Sequence, residues 1–188
     1  MNMSQMKLIN FCGDSFCTNI KSPAWTYVLA NLLECHILGG GKGGSAHEHA
    51  IQSFDETADI TVFCWTEPDR IYHADYPINS ASAQYHKKTN KTYAAAHAYY
   101  SYVHDFEHSK TKQMRELYWF DHEILSKYSG ISVHCWCFEQ TYRFINGLTF
   151  DKILYNLEKD DNGVNHFTDE QNYNLAHEIF NLIRRTYG

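Results

Sequence analysis

Residues 7–17 read KLINFCGDSFC, and the prediction of the fold starts from this segment. The segment from Leu8 to Cys12 is an almost continuous apolar run, which is typical of a parallel β-strand buried on both faces. Gly13 then breaks the run where the chain has to turn. In open α/β sheets, ligands bind beyond the carboxyl ends of the strands, so a hydroxyl group on the first such turn lies where chemistry occurs. We therefore interpret Ser15 as a candidate nucleophile.

A purely structural interpretation of the same turn is open, because Asp14 and Ser15 are also residues that bond local backbone groups. A second signal comes from the C-terminal part of the chain. Residues 165–171 read NHFTDEQ, in which Thr168 predicts a helix N-cap and Gln171, three residues later, its capping-box partner. This pattern places His166 on a loop just before the last helix, which makes it a candidate general base.

Strand-like and helix-like segments alternate between these two ends. Strands are predicted at residues 8–12, 35–38, 60–65 and 131–138, and helices at 24–33, 46–56 and 169–185. The helix at 24–33 is predicted to begin at Ser22-Pro23, a hydroxyl cap followed by proline in the first turn. Residues 92–128 predict two helices separated near Ser109, and residues 144–157 predict a loop with a short helix. The alternation indicates a doubly wound α/β sheet.

Length and charge narrow the function classes. The chain has 188 residues, which suits a single domain over 1–188 with a sizeable core. It has no long apolar span and no signal-peptide pattern at its N-terminus, so we expect a cytoplasmic protein that neither enters nor crosses a membrane. The formal net charge of −6 argues against nucleic-acid binding, which depends on neutralising phosphates with Lys and Arg.

The six cysteines predict reduced core residues, because at least four lie in apolar, strand-like runs. Cys135 and Cys137 would point to the same face of a strand, but no second ligand pair with metal-site spacing accompanies them. The glycine run at residues 39–44 is not a phosphate loop either, because Gly43 and Gly44 separate Lys42 from Ser45. The sequence therefore predicts no metal and no cofactor.

The Gly13-Asp14-Ser15 block and His166 together resemble the SGNH (GDSL-like) hydrolase superfamily, over nearly the whole chain. The family's glycine block would correspond to residues 39–45, GGGKGGS. Its Gly-X-Asn-Asp block should follow the third strand, where this chain reads WTEPDR at residues 65–70 and lacks the asparagine. The WTEPDR form resembles divergent members encoded by tailed phages.

This resemblance implies a flavodoxin-like, three-layer α/β/α fold and a serine hydrolase that cleaves an acyl ester, for example an acetyl ester, of a small molecule or glycan. Ser15 would attack and His166 would take its proton. The resemblance places oxyanion or substrate contacts in the glycine run, at Gly44 or Ser45. Because the family's asparagine is missing, we expect Thr66 or Arg70, at the end of the third strand, to supply the other donor.

The acid of the triad is displaced in this chain. The family has an aspartate three residues before the histidine, where this sequence has Gly163. Asp161 is the nearest plausible carboxylate and Asp160 the next, and a Ser-His dyad is the other arrangement that the sequence allows. The displaced acid and the missing asparagine also favour an alternative function, a catalytically silent member of the fold that binds a glycan or a protein.

Overall fold

A computed structural model describes residues 7–160 and 162–187. The described residues form a parallel sheet of five strands, β1 (Lys7–Gly13), β2 (Cys35–Gly39), β3 (Ile60–Trp65), β4 (Ile131–Trp136) and β5 (Leu148–Ile153). Their order across the sheet is β2-β1-β3-β4-β5, with all neighbours parallel. This is the flavodoxin-like order, so the fold class predicted from the sequence is confirmed.

Six α-helices of the described residues connect or follow these strands. They are α1 (Trp25–Leu32), α2 (His47–Gln52), α3 (Ser80–His86), α4 (Lys91–Tyr102), α5 (Phe106–Trp119) and α6 (Asp169–Tyr187). Short 3-10 turns lie at Ser15–Cys17, Leu125–Lys127, Leu154–Asn156 and Val164–His166, and a π-helical turn at Phe120–Ile124 continues α5. No helix in the described part of the chain has the length and apolar character needed to cross a bilayer.

The helices cover both faces of the sheet. Alternate strand residues such as Phe11 and Val62 pack with α1 and α6 on one face. Their neighbours Cys12 and Phe63 point to the other face, where they pack with α2, α5 and the π-helical turn. Because side chains alternate along a strand, a sheet covered on both faces requires apolar residues at nearly every strand position. The three-layer α/β/α prediction is therefore confirmed.

The register of the central strands fixes the position of the first turn. β1 lies between β2 and β3, and Gly13 at its end is opposite Cys64 of β3. A Cβ atom on residue 13 would lie 2.5 Å from the Cys64 carbonyl oxygen, so only glycine permits this close approach. The loops that begin at Asp14 and Thr66 consequently leave the same edge of the sheet side by side.

Three secondary-structure predictions differ from the structure: a strand was missed, a helix break was misplaced, and the helix predicted at 46–56 ends at Gln52. β5 lies where a loop with a short helix was expected; Asp151 and Lys152 on this edge strand are exposed, so the segment lacks the continuous apolar run of a central strand. The break between α4 and α5 falls at residues 103–105 instead of Ser109. Asp105 ends the break by accepting a hydrogen bond from the His108 N–H (2.8 Å), as an N-cap does.

The start of α1 also differs from the prediction. The helix begins at Trp25, after an Ala24 N-cap that offers no side-chain bond, and the Trp25 N–H donates to the Asn172 side chain of α6 (2.9 Å). The cap is thus supplied by a distant part of the chain. The predicted Thr168 cap of α6 is confirmed, because its hydroxyl accepts a hydrogen bond from the Gln171 N–H (3.1 Å).

All six cysteines are free thiols, and all except Cys35 are buried. Burial raises the pKa of Cys12 to about 12, and burial likewise raises the pKa values of Cys64 and Cys137. These thiols are therefore packed core groups in their protonated form, as the sequence predicted.

Asn172 joins α6 to the segment that carries His166. Its side chain is fully buried; the amide oxygen accepts the Trp25 N–H, and the amide nitrogen donates to the carbonyl oxygens of Val164 (3.0 Å) and Phe167 (3.2 Å). One side chain thus bonds the start of α1 and both sides of His166. A polar residue at this apolar interface is stable because its hydrogen-bonding groups have partners.

We expect Asn172→Ala to lower the free energy of unfolding by about 2–4 kcal/mol, because the buried Trp25 N–H loses its acceptor and the carbonyl groups of Val164 and Phe167 lose their donor. Urea denaturation followed by circular dichroism measures the loss. Asn181→Ala, on the exposed side of the same helix, is the matched control and should change the stability little. Equal effects of the two substitutions would contradict the assigned role of Asn172.

Candidate active site

The site is built around the carboxylate of Asp14, which is fully buried directly after β1. One oxygen accepts the Phe16 N–H (3.0 Å) and lies 3.3 Å from the Cys137 thiol. The other accepts the Thr66 hydroxyl (3.0 Å) and pairs with the Arg70 guanidinium (3.3 Å). A buried carboxylate needs such partners, and here they come from the ends of three adjacent strands.

Ser15 follows Asp14 at the start of the first 3-10 turn and is half-buried. Asp14 caps this turn through the Phe16 N–H, so the turn does not depend on the Ser15 hydroxyl for its hydrogen bonding. Within residues 7–160 and 162–187, the Ser15 hydroxyl has no hydrogen-bond partner. The sequence-predicted nucleophile is thus presented at the carboxyl edge of the sheet.

His166 lies on the turn before α6, and this turn is fastened to the Ser15 turn. Asn165 accepts the Asn19 N–H (2.8 Å) and donates to the Asn19 carbonyl oxygen (3.1 Å). The imidazole of His166 packs on the Phe16 ring with 5.1 Å between ring centroids. The structure therefore brings the Ser15 and His166 segments together, although no direct hydrogen bond joins the two side chains among the described residues.

The backbone around His166 is unusual. Asn165 and His166 both have positive φ angles, of 54° and 70°. Asparagine tolerates this left-handed region better than most residues, and the two Asn165–Asn19 bonds help to hold it there. Two consecutive residues in this region turn the chain sharply. His166 therefore lies on a tight turn just before the start of α6.

The lack of an aspartate at position 163 has a steric reason. A Cβ atom on Gly163 would lie 2.2 Å from the Phe167 carbonyl oxygen and 2.9 Å from the Asp160 Cβ, so this position has no room for a side chain. Asp160 is exposed, and its carboxylate accepts the Asn162 N–H (2.9 Å) in a local turn. Asp161, the acid favoured by the sequence, lies outside the described residues.

The glycine run forms the wall next to Ser15. Ser45 donates its hydroxyl to the Gly13 carbonyl oxygen (3.1 Å) and its N–H to the Lys42 carbonyl oxygen (3.1 Å), so its N–H already has an acceptor. Gly44 has a φ of 69°, and a Cβ there would lie 2.5 Å from the Pro77 Cβ. Gly43 lies next to Ser15, because a Cβ on it would lie 3.9 Å from the Ser15 Cβ.

Thr66 and Arg70 both contact Asp14, which caps the Ser15 turn. The Thr66 hydroxyl donates to Asp14, and Arg70 contacts Asp14, the Glu67 carboxylate (3.1 Å) and the Ser45 carbonyl oxygen (3.4 Å). The guanidinium carbon also lies 5.4 Å from the centre of the Phe138 ring. Both side chains therefore have partners within the protein. Arg70 links Asp14, at the start of the Ser15 turn, to the glycine run.

Sequence reasoning missed the central role of Asp14, which it treated as a turn residue, and the contributions of Cys137 and Phe138. The sequence contained a signal for Asp14: a carboxylate that is buried at the end of such a strand needs a cation or hydrogen-bond donors, and Arg70 follows the neighbouring strand.

One group of described residues has the donor atoms of a metal site. His47 is buried, with its Nε2 2.6 Å from a Glu116 oxygen and its Nδ1 3.4 Å from a Glu48 oxygen. Lys112 lies 2.8 Å from Glu48 and 3.6 Å from Glu116. Burial by itself raises the pKa of Glu116, and the His47 hydrogen bond and Lys112 outweigh it, so this pKa lies below its usual value. We interpret the group as an ion-pair cluster that joins α2 to α5.

We expect Arg70→Ala to lower the free energy of unfolding by about 3–5 kcal/mol, because it leaves the Asp14 carboxylate buried without its cation. Chemical denaturation measures the change, with Arg115→Ala, an exposed arginine on α5, as the control. Adding Asp14→Asn to Arg70→Ala should restore part of the loss, since it removes the unpaired charge. A loss no larger than that of Arg115→Ala would show that the pair does not hold the turn.

Comparisons with known proteins leave the family open. No protein-family model and no curated protein matches the chain. Among solved structures, the chain is similar to the "putative lipolytic protein of G-D-S-L family from Desulfitobacterium hafniense DCB-2". The match covers 94% of this chain and 99% of that chain, with 12% identity and a TM-score of 0.45. A similarity at this level does not bear on the chemistry, and the flavodoxin-like architecture rests on the strand order itself.

Proposed function

We propose that the protein is a serine hydrolase that cleaves an acyl ester, with acetyl esters as the first candidates, through a covalent intermediate on Ser15. One observation carries this proposal: the Ser15 turn and the His166 turn lie against each other at the carboxyl edge of the sheet. They are joined by the Asn19–Asn165 hydrogen bonds and by the packing of Phe16 on His166. A serine next to a histidine at the carboxyl edge of a parallel sheet supplies a nucleophile and a base.

In the proposed reaction, His166 takes the proton of the Ser15 hydroxyl as the oxygen attacks the ester carbonyl carbon. The same histidine then gives the proton to the alcohol oxygen as the carbon–oxygen bond breaks. A water molecule, deprotonated by His166, releases the acyl group as a carboxylic acid and regenerates Ser15. The loose arrangement of Ser15 and His166 is compatible with this role, since catalytic hydrogen bonds often tighten only with substrate bound.

Backbone N–H groups are the proposed oxyanion donors. The N–H groups of Ser15 and Gly43 flank the nucleophile, and neither has a partner in the described part of the chain. From the sequence, the oxyanion donor of the glycine run was expected at Gly44 or Ser45. We now propose the N–H of Gly43 instead. Thr66 and Arg70 then act indirectly, by holding Asp14 and thereby the direction in which the Ser15 N–H points.

We expect Ser15→Ala to abolish ester hydrolysis and covalent labelling by a fluorophosphonate probe, while the melting temperature stays nearly unchanged because the hydroxyl forms no hydrogen bond with the described residues. His166→Gln should reduce labelling strongly, since the serine loses its base. Hydrolysis of 4-nitrophenyl acetate and mass spectrometry of the labelled peptide provide the two measurements. Ser22→Ala, which removes an exposed hydroxyl from the loop after the same turn, is the matched control and should keep both activity and labelling.

Activity that survives Ser15→Ala would remove Ser15 from the mechanism. The absence of both labelling and hydrolysis in the unmodified protein would instead favour the second candidate function, a silent member of the fold that binds a glycan or a protein. The observation that favours this candidate is the state of His166, which has no carboxylate partner among the described residues.

The displaced acid gives a second prediction. We expect Asp161→Asn to lower turnover much more than Asp160→Asn, because the Asp160 carboxylate is exposed and already bonds the Asn162 N–H. A carboxylate beside His166 would hold its tautomer and stabilise the imidazolium formed when Ser15 loses its proton. Steady-state kinetics of the two variants measure the difference, with thermal melting to confirm folding. Small and equal effects would indicate a Ser-His dyad.

A further inference from the structure

A cavity of about 300 Å³ lies beside the glycine run, on the side that α2 and residues 71–76 enclose. Lys42 and Ser45 form its wall towards the active site. The other side chains that define its chemistry are His49 and Gln52 of α2, with Tyr72 and His73 from the opposite segment. A concave, partly polar space of this size is suited to one small ring or a short substituted chain.

The charge of this cavity is positive, in contrast to the whole chain with its net charge of −6. Lys42 lines the cavity, whereas no aspartate or glutamate of the described residues does. The Lys42 ammonium bonds the Ala74 carbonyl oxygen and has further N–H donors to offer. Burial, and then the charge of Lys42, lowers the pKa of His49, so its neutral form is favoured. Lys42 is the one lysine or arginine among the described residues that line the cavity.

The neutral polar groups of the cavity are also donors. The His73 Nδ1 accepts the N–H groups of Asp75 (3.0 Å) and Tyr76 (3.3 Å), so the ring proton is on Nε2 and is free to donate. The Tyr72 hydroxyl donates to the Gln52 amide oxygen (2.6 Å), which leaves the Gln52 NH₂ group for a ligand. Donors in a cavity whose described lining has no acidic side chain favour a ligand group that only accepts hydrogen bonds, as a carboxylate does.

The cavity is connected to the nucleophile through one turn. Lys42 and Ser45 flank Gly43 and Gly44 in the sequence, and Gly43 lies next to Ser15. The Lys42 N–H donates to the Gly13 carbonyl oxygen (2.9 Å), immediately before the Gly-Asp-Ser block. A group held at the Lys42 side chain would thus lie against the same turn that faces the ester carbonyl.

We propose that this cavity is a substrate subsite that binds a carboxylate carried by the ester, so that the enzyme prefers anionic esters to neutral ones of the same shape. The inference rests on the proposed hydrolase function. One lysine matches one negative charge, which favours a carboxylate over a doubly charged phosphate monoester.

Two pairs of esters test the subsite. 3-Acetoxybenzoate and 4-acetoxybenzoate are compared with the corresponding acetoxybenzamides, which have the same shape and no charge. We expect kcat/KM to be about tenfold or more higher for the benzoate of at least one pair, the effect of one charge-assisted hydrogen bond. In Lys42→Met the ratio of benzoate to benzamide should fall close to one, whereas Lys42→Arg should keep a preference.

Lys88→Met is the matched control, because it removes the same charge from an exposed position outside the cavity, and it should leave the ratio as in the unmodified protein. Thermal melting confirms that each variant is folded. A ratio of one in the unmodified protein for both pairs, or a ratio that Lys42→Met does not change, would overturn the proposed subsite.

Failure of the subsite is distinguishable from failure of the hydrolase function. If none of the four esters is cleaved and the fluorophosphonate probe does not label Ser15, the proposed hydrolase function is wrong. The proposed anion site is then tested by binding alone. Saturation-transfer NMR with 4-hydroxybenzoate and 4-hydroxybenzamide then decides. Binding of the benzoate that is lost in Lys42→Met supports an anion site, and the absence of such binding excludes it.

Discussion

The contacts of the buried Asp14 carboxylate organise the loops at the carboxyl edge of the sheet. A charge in the interior is stable only with hydrogen bonds and a cation around it, and those partners lie on separate segments after β1, β3 and β4. Satisfying one carboxylate therefore fixes the relative positions of three loops. The same constraint places Ser15, the next residue, at a defined point above the sheet edge.

Arg70 extends this constraint to the glycine run. Because its guanidinium contacts both Asp14 and the Ser45 carbonyl oxygen, the two loops that flank the proposed reaction centre share one cation. Asn165 and Asn172 have the corresponding role for the His166 segment, through bonds to Asn19 and to the start of α1. The proposed reacting groups thus lie on loops, and polar side chains anchored in the core hold each loop in place.

The sequence was sufficient for the central part of the fold. Residues 60–65 are all buried, so their apolar run predicted β3 with its true bounds, and Thr168 correctly predicted the start of α6. β5 was missed because an edge strand with an exposed face resembles a loop in composition. The pairing of Ser15 with His166 was expected only from the resemblance, and the pairing of Asp14 with Arg70 was missed, since this contact across 56 positions of the chain is set by strand order and not by local pattern. The steric reason for Gly163 depends likewise on the path of Phe167.

The free thiols can serve as built-in probes of local unfolding. A thiol reacts with alkylating reagents as the thiolate, and burial both raises its pKa and keeps the reagent out. Cys35, half-buried on the edge strand, is accessible to reagent in the folded state, whereas the five buried cysteines become reactive only when their surroundings separate. Cys137 touches Asp14, so its alkylation rate reports how often the base of the nucleophile turn opens, without any probe being introduced.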